Sequence, residues 1–209
     1  MKETTRTHQP IQSPDRARLF DISSEQGGYF TADQARICGY SRALLSHHAK
    51  SGRFIRVRRG LYRFREYPSS PREDVLVAWL VVGRDVAVVS HESALDILGL
   101  SDIIPDAVHV TVPRFRRNLP SLPGARIHTT ARPLGKEDLL TRDGMAVTSA
   151  TRSILDAAET GTAPEQIEMA VAQAIDRGLA TAQELQRGAS DRGRRLAKQI
   201  EDALQKVKQ

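Results

Sequence analysis

The sequence predicts an α+β fold (mixed α/β) with two domains, on three observations. The apolar pattern changes from a helical to an alternating period after residue 52, a segment rich in proline and serine covers 66–71, and helical and strand-like runs mix beyond it. The 209 residues, 40% hydrophobic and 27% charged, suffice for two modest cores. The longest apolar run, 75–82, is much shorter than the roughly 20 residues that span a membrane, so we expect no membrane segment.

The first domain is predicted to follow a flexible tail at residues 1–14, which are polar and aperiodic. Three short helices come next. The first opens at Asp15, the second runs from Thr31 to Gly39, and the third lies between Ser41 and Gly52. Threonine and serine are good N-caps and glycine commonly ends a helix, so the second and third helices are predicted to form a helix-turn-helix.

An arginine-rich hairpin is predicted directly after the third helix. Residues 55–58 and 62–65 alternate apolar side chains with arginine, and Arg59 and Gly60 stand between them as the turn. A helix-turn-helix followed by such a hairpin is typical of a winged helix-turn-helix, which we assign to residues 15–66. The polar segment 67–71 is predicted to be a linker.

The excess positive charge is concentrated in this region. Residues 41–65 hold eight basic and no acidic residues, whereas 1–40 hold five of each and 66–209 hold 18 basic and 20 acidic residues. The net charge of +6 therefore originates in one segment. A focused positive potential favours a polyanionic partner. We expect double-stranded DNA, and RNA stays open, although the pattern offers no exposed aromatic platform.

Two groups of residues are predicted to contact DNA. A recognition helix enters the major groove with short polar and basic side chains, and its N-terminal part reads base edges. The base-reading candidates on the third helix are Ser41, Arg42, Ser46 and His47. The candidates for the phosphate backbone or the minor groove are Lys50, Arg53, Arg56, Arg58, Arg59 and Arg63. Because His47 and His48 are adjacent, at most one of them can face DNA.

The second domain, residues 72–209, is predicted to mix helices and strands and to end in a helical tail. Strands are expected at 86–89, 108–112 and 126–130. Helices are expected at 72–82, after the N-cap Ser90, at 149–159, and in the tail after Thr162, Thr181 and Ser190. A second basic patch of Arg114, Arg116 and Arg117 lies in a loop between strands, where it is solvated, extends the DNA contact or faces a partner.

No catalytic residue is predicted. Ser90, His91 and Glu92 supply the residue types of a catalytic triad. Neighbours on a helix point in different directions, however, so Ser90 is interpreted as an N-cap with Glu92 near the positive end of the helix. The sequence also contains no nucleotide-binding glycine motif and no HExxH motif. We therefore expect a protein that is not an enzyme and needs no cofactor.

No metal site is predicted either. His91, His109 and His128 could converge on a metal ion, but no histidine pair at i,i+4 supports this. Arg152 and Asp156 stand four residues apart on one predicted helix, and we interpret them as an ion pair rather than as a ligand site.

Residues 52–62, GRFIRVRRGLY, resemble the G-x-x-x-R-V-R-R-G-x-Y wing of the AbiEi family, antitoxins of bacterial type IV toxin-antitoxin systems. The similarity continues through SHESAL at 90–95, VHVTVP at 108–113, and the segment from DG at 143–144 to TSATRSILD at 148–156. These landmarks occur in the family's order and extend the resemblance over residues 15–160.

This resemblance implies a function in two parts. The winged helix represses its own operon by binding inverted repeats in the promoter, and the C-terminal domain counteracts a nucleotidyltransferase-like toxin. The resemblance leaves open whether the antitoxin contacts the toxin directly. It is compatible with a monomer or a dimer, because two monomers can occupy adjacent half-sites. The single cysteine and the absence of an apolar run near residue 1 separately predict a cytoplasmic setting.

Two alternatives stay open. One is a winged-helix transcriptional regulator whose C-terminal domain binds another protein or an effector. The other is a DNA-targeted nuclease, since related proteins carry the same landmarks before a nuclease domain. The absence of a Glu-x-Lys nuclease signature from the sequence disfavours this second alternative.

Overall fold

The chain divides into two compact units, 1–71 and 72–209, of which the computed structural model describes residues 13–119 and 121–207. Most of the tail predicted at residues 1–14 lies outside the described residues. Each unit encloses its own cluster of buried apolar side chains. The two units are therefore considered one at a time.

In its described part, the first unit combines three helices with a three-stranded antiparallel sheet of order β1-β3-β2. The elements are α1 Arg16–Ser24, β1 Tyr29–Thr31, α2 Ala32–Ile37, α3 Arg42–Lys50, β2 Phe54–Arg58 and β3 Leu61–Phe64. The side chains of Asp15, Thr31 and Ser41 each accept a hydrogen bond from a backbone N–H in the first turn of the following helix. The predicted winged helix-turn-helix is confirmed.

Strand β1 is not apparent in the sequence, because three residues are too few to show an alternating pattern. It pairs antiparallel with β3, with Tyr29 opposite Arg63. Gly28 leads into β1 with a φ of +82°, and a Cβ atom there would lie 2.2 Å from Cγ of Tyr67. Only glycine permits this approach. The Tyr67 ring therefore covers the turn, and its hydroxyl donates to the carbonyl of Ser24 at 3.1 Å.

An aromatic cluster around Phe30 forms the core of the first unit. Phe30 is fully buried, and its ring centroid lies 4.9 Å from that of Phe54, 5.8 Å from that of Tyr62 and 5.3 Å from that of Phe64. These three rings belong to the β2–β3 hairpin. Leu45 of α3 is buried in the same cluster. One core thus holds both the third helix and the wing in place.

The second unit combines a five-stranded sheet with helices that precede, connect and follow the strands along the chain. The helices and strands are α4 Glu73–Val82, β4 Val88–Val89, α5 His91–Leu98, β5 Val108–Pro113, β6 Ala125–Thr130, β7 Leu139–Arg142, β8 Met145–Thr148, α6 Ala150–Glu159, α7 Pro164–Asp176, α8 Ala182–Ser190 and α9 Arg194–Val207. The sheet order is β6-β5-β4-β8-β7. The β4–β8 and β5–β6 pairs are parallel, and the other two are antiparallel.

Two features of the second unit differ from the sequence analysis. The β7–β8 hairpin was missed, although Asp143 and Gly144 at its turn both have positive φ values, as a tight hairpin turn requires. The prediction that Ser190 starts the last helix is wrong. Ser190 ends α8, where its hydroxyl donates to the carbonyl of Gln186 at 2.8 Å, and the last helix begins at Arg194.

The helical tail is part of the core of the second unit rather than an appendage. Ile154 of α6, Ile167 of α7, Leu185 of α8 and Ile200 of α9 are all fully buried in one cluster. Burial of this kind stabilises a fold in proportion to the apolar area removed from water. Among the described residues, no helix is long and apolar enough to cross a membrane.

Candidate nucleic-acid interface

Helix α3 presents a polar side to solvent and an apolar side to the core. Leu45 is buried, whereas Arg42, Ser46 and Lys50 are exposed and recur every four residues. Side chains at this spacing lie along one side of a helix. Ser41 is also exposed, and its hydroxyl accepts the N–H of Leu44 at 3.1 Å, so this base-reading candidate also caps the helix.

The two adjacent histidines of α3 diverge. His47 is exposed on the polar side of the helix. The His48 ring packs 5.8 Å from the Tyr40 ring and 5.1 Å from the Phe54 ring. Burial lowers the pKa of His48, and the positive charge of Arg53 lowers it further. The structure thus turns His47 outward and His48 toward the domain.

Three arginines of the wing, Arg56, Arg58 and Arg59, are exposed to solvent. Arg56 and Arg58 of β2 are exposed, while Ile55 and Val57, which alternate with them, are half-buried. The register of the β2–β3 pair shifts between Arg56 and Arg58. Arg59 at the tip is exposed too, and Gly60 closes the turn with a φ of +80°. The hairpin itself is the predicted one, but it does not divide into an arginine side and an apolar side, because Arg56 lies opposite Tyr62 and Ile55 lies opposite Arg63.

Arg63 differs from the other basic candidates of the wing. It lies on the central strand β3 and is half-buried. Its guanidinium lies 5.8 Å from the ring centroid of Tyr29, and one nitrogen donates to the hydroxyl of Ser69 at 3.3 Å. Arg53, in contrast, is exposed just before β2. Six basic candidates of the first unit are therefore exposed, and Arg63 differs from them in its burial and its contacts.

The second basic patch lies in the second unit on a short 3-10 turn, Arg114–Arg116, directly after β5. Its three arginines, Arg114, Arg116 and Arg117, are exposed. The turn also exposes 79% of Phe115, beside a cavity of about 660 Å³ that is lined mainly by apolar side chains. Phe115 was not among the residues predicted to contact a partner. The only sequence feature that could have indicated it is a single aromatic residue among arginines.

A buried ionic network surrounds Arg152 in the second unit. The predicted ion pair is confirmed, with Nε of Arg152 2.9 Å from Oδ2 of Asp156. Arg192, in the turn after α8, places Nη1 2.6 Å from Oδ1 of Asp156, and Asp138 lies 3.5 Å from Arg152. The side chains of Arg152, Asp156 and Arg192 are 5–8% exposed. Arg192 was not predicted, because no local pattern links residues so far apart.

The interpretation of Ser90 requires correction. It occupies the N-cap position of α5, but its side chain makes no capping hydrogen bond. Ser90 is extended and His91 has a φ of +53°, so Oγ of Ser90 meets Nδ1 of its neighbour at 2.8 Å. The premise that neighbours here diverge as in a helix is therefore wrong. The side chain of Glu92 does not join Ser90 and His91 but accepts a hydrogen bond from the hydroxyl of Thr162 at 2.8 Å.

Three histidines meet in the second unit, although their spacing matched no ligand motif. His91 starts α5, His109 lies on β5 and His128 on β6, and their ligand nitrogens all lie within 4.8 Å of one another. The rings of His91 and His128 stack with centroids 3.6 Å apart, and Nε2 of His128 lies 3.1 Å from Nδ1 of His109. Strand pairing creates this cluster, so local sequence patterns could not reveal it.

Burial keeps the three imidazoles neutral. It lowers the pKa of His91 to about 2, and the neighbouring His128 adds to this effect. Burial and His109 lower the pKa of His128 to about 4, against the opposing influence of Asp156. Burial also lowers the pKa of His109, and the carboxylate of Glu92 opposes that shift. A cavity of about 420 Å³ borders His91, His128 and the Arg152 network.

We expect the second unit to lose stability as the pH falls below about 6.5, the usual histidine pKa. In the unfolded chain these histidines bind protons at that pH, whereas the folded pKa values of His91 and His128 are about 2 and about 4. The loss should therefore continue down to about pH 4 for His128 and about pH 2 for His91, at up to about 1.4 kcal/mol per pH unit for each histidine. Urea unfolding of the chelator-treated protein at pH 7, 6 and 5 measures it. Replacing His128 with glutamine should flatten the dependence, and an unchanged slope would contradict the assignment.

The fold and surface of the first unit define a winged helix-turn-helix domain, a class that binds DNA through its third helix and wing. Residues 17–65 match the model of a family described as transcriptional regulator, AbiEi antitoxin. This match confirms, for residues 17–65, the resemblance to the AbiEi antitoxin family that was inferred from the sequence.

A solved structure is similar in fold to most of the chain. The crystal structure of the RV2827C protein from Mycobacterium tuberculosis aligns with a TM-score of 0.63 and 14% sequence identity. The alignment covers 91% of this chain and 76% of that one. Among curated proteins, none matches. The structural likeness extends through both units and shows a shared fold.

Proposed function

We propose that this protein is a sequence-specific autorepressor and antitoxin of an AbiE-like toxin-antitoxin system. In this proposal it binds inverted repeats in its own promoter and counteracts a nucleotidyltransferase-like toxin. One observation carries the proposal. The outward side of α3 and the wing expose six basic side chains in a segment, 41–65, that contains no carboxylate.

The two parts of this surface have different expected roles. Arg42 is exposed in the first turn of α3, and a guanidinium can donate two parallel hydrogen bonds to a guanine edge. Ser46 and His47 extend the same polar side of the helix. The exposed arginines of the wing and Lys50 suit phosphates or the minor groove, which fix the register of the protein without reading sequence.

The first test is a mobility-shift titration with the DNA upstream of the protein's own gene and unrelated DNA as competitor. Arg42→Ala should weaken binding to the upstream DNA by about 1–3 kcal/mol and reduce the preference over the competitor. Arg195→Ala is a matched control, because Arg195 is also an exposed helical arginine but lies in the second unit. Equal losses for the two variants would contradict a base-reading role for Arg42.

The wing should behave differently from α3 in the same assay. If the surface neutralises about six phosphates, the logarithm of affinity should fall with the logarithm of salt concentration at a slope of about −5. Arg58→Ala should weaken binding to both DNAs alike and reduce the slope by about 0.9. A selective loss on the upstream DNA would assign Arg58 to base reading instead. Absence of any preference in the unaltered protein would overturn the autorepressor proposal.

The antitoxin role needs a separate test. Co-expression with the toxin gene adjacent to its own gene should restore growth, and Arg42→Ala should still do so, because neutralisation is assigned to the second unit. Co-purification from the same cells distinguishes direct from indirect neutralisation, and sedimentation with and without operator DNA distinguishes a monomer from a dimer. Failure to restore growth would favour the regulator whose second unit binds another partner or an effector.

The second basic patch also stays a proposal. Arg114, Arg116 and Arg117 are free of carboxylates in their own turn and flank the exposed Phe115. Arginine and an exposed ring suit contact with a nucleic acid, through phosphates and stacking. We assign the patch a supplementary DNA contact, which the salt dependence of an Arg116→Ala variant would measure.

A further inference from the structure

The histidine cluster of the second unit is not used by the proposed function. His109 and His128 lie on neighbouring parallel strands, in which His109 pairs with Arg126, two residues before His128. Because side chains alternate along a strand, His109 and His128 project from the same face of the sheet. His91 reaches that face from the start of α5, so the three ligand nitrogens lie within 4.8 Å of one another.

The backbone at His91 is strained. A φ of +53° is uncommon for a residue other than glycine, and such strain persists where the surroundings enforce it, frequently at ligand sites. The position of the ring is fixed by Ser90, whose hydroxyl lies 2.8 Å from Nδ1 and also accepts a hydrogen bond from Thr111 at 2.7 Å. When Nδ1 donates to Ser90, the lone pair of Nε2 is available to a ligand.

The environment of His109 supplies an independent observation. Its side chain is 3% exposed, and among residues 13–119 and 121–207 its Nε2 atom has no hydrogen-bond partner. This nitrogen lies 4.0 Å from Oε2 of Glu92, whose other oxygen accepts the hydroxyl of Thr162. A histidine that binds metal through one nitrogen usually directs the other at a carboxylate. Glu92 is placed for that outer role.

From this geometry we infer that His91, His109 and His128 bind a divalent transition-metal ion, with zinc as the expected species. Neutral imidazoles are the ligands that zinc takes in such sites, at Zn–N distances of about 2.0–2.1 Å. The bordering cavity of about 420 Å³ leaves the fourth position to water or a small anion. His109 would bind through Nδ1, which leaves its Nε2–H directed at Glu92.

Binding requires a modest rearrangement of one side chain. Zinc ligands in a tetrahedral site lie about 3.3 Å apart, closer than the 4.8 Å limit within which these nitrogens fall. A metal also lies in the plane of each coordinating ring, so the stack of His91 and His128 must open. His128 is half-buried on the edge strand β6, and its ring borders the cavity, where it has room to turn.

The test uses the full chain without a histidine tag, stripped with a chelator and titrated with zinc chloride. We expect one zinc ion per chain by elemental analysis after dialysis. His109→Gln and His128→Gln should each lose the ion, while His47→Gln, a matched change in the first unit, should retain it. Glu92→Gln should lower zinc affinity by about 10- to 100-fold, as loss of an outer-shell partner does.

Two further results make the inference falsifiable. Cobalt substitution of the unaltered protein should give the intense visible absorption of a tetrahedral site, a readout that does not depend on whether a variant folds. Substoichiometric zinc in the unaltered protein would overturn the inference. The inference would also be overturned if the His128→Gln variant retained zinc and the Asp106→Asn variant lost it. That result would place the ion at a second group of possible ligands, Glu92, Asp106 and His109. None of these results depends on DNA binding.

Discussion

Asp156→Ala should destabilise the second unit by about 3–5 kcal/mol, the cost of removing one partner from a buried ion pair. The Asp156 carboxylate binds two guanidinium groups, those of Arg152 and Arg192, at 2.9 Å and 2.6 Å. Both arginine side chains are less than a tenth exposed, so their charges would stay buried without this shared partner. The loss should also loosen the turn after α8, which Arg192 ties to α6.

Urea unfolding followed by tryptophan fluorescence measures this effect, because the single tryptophan, Trp79, is buried in α4 of the second unit. Asp106→Ala is a suitable control. Asp106 pairs with Arg126, and their side chains are 67% and 56% exposed. An exposed ion pair contributes at most about 1 kcal/mol to the free energy of unfolding. If Asp156→Ala cost no more than the control, Asp138 and Glu159 would be sufficient partners for the two arginines.

Features that depend on a few consecutive residues were predictable. Thr31 and Ser41 cap helices where the sequence places them, because an N-cap is a contact between residues three apart. The alternation of arginine and apolar residues in 55–58 predicts a strand for the same reason, since side-chain direction alternates along a strand, and exposed and half-buried residues do alternate in β2. The basic segment 41–65 was visible because a local charge excess needs no tertiary information.

Features made by distant residues were not predictable. Arg192 joins Asp156 only because the core packs α6 against the tail helices, and no spacing rule relates two such positions. The three histidines meet through the pairing of β5 with β6 and an unusual backbone at His91. The Ser90 hydroxyl joins this cluster rather than the helix end, which shows how tertiary contacts can override a local capping signal.

Phe30→Ala should unfold much of the first unit and abolish DNA binding without altering any proposed DNA contact. Removing a large ring from a packed core costs about 3–5 kcal/mol, which is a large part of the 5–15 kcal/mol that stabilises a typical domain. Phe30 is fully buried against three rings of the β2–β3 hairpin. Its loss should therefore release the wing and α3 from their common core.

Hydrogen exchange of the backbone amides in β1–β3 measures this effect, with the Trp79 unfolding curve as an internal reference for the second unit. Phe20→Ala is the matched control, because Phe20 is 37% exposed and covers the same cluster from outside, 5.4 Å from the Phe64 ring. It should cost about 1–2 kcal/mol and leave DNA binding largely intact. Retained DNA affinity in Phe30→Ala, together with fast exchange in β1–β3, would mean that DNA itself folds this domain or that binding resides elsewhere in the chain.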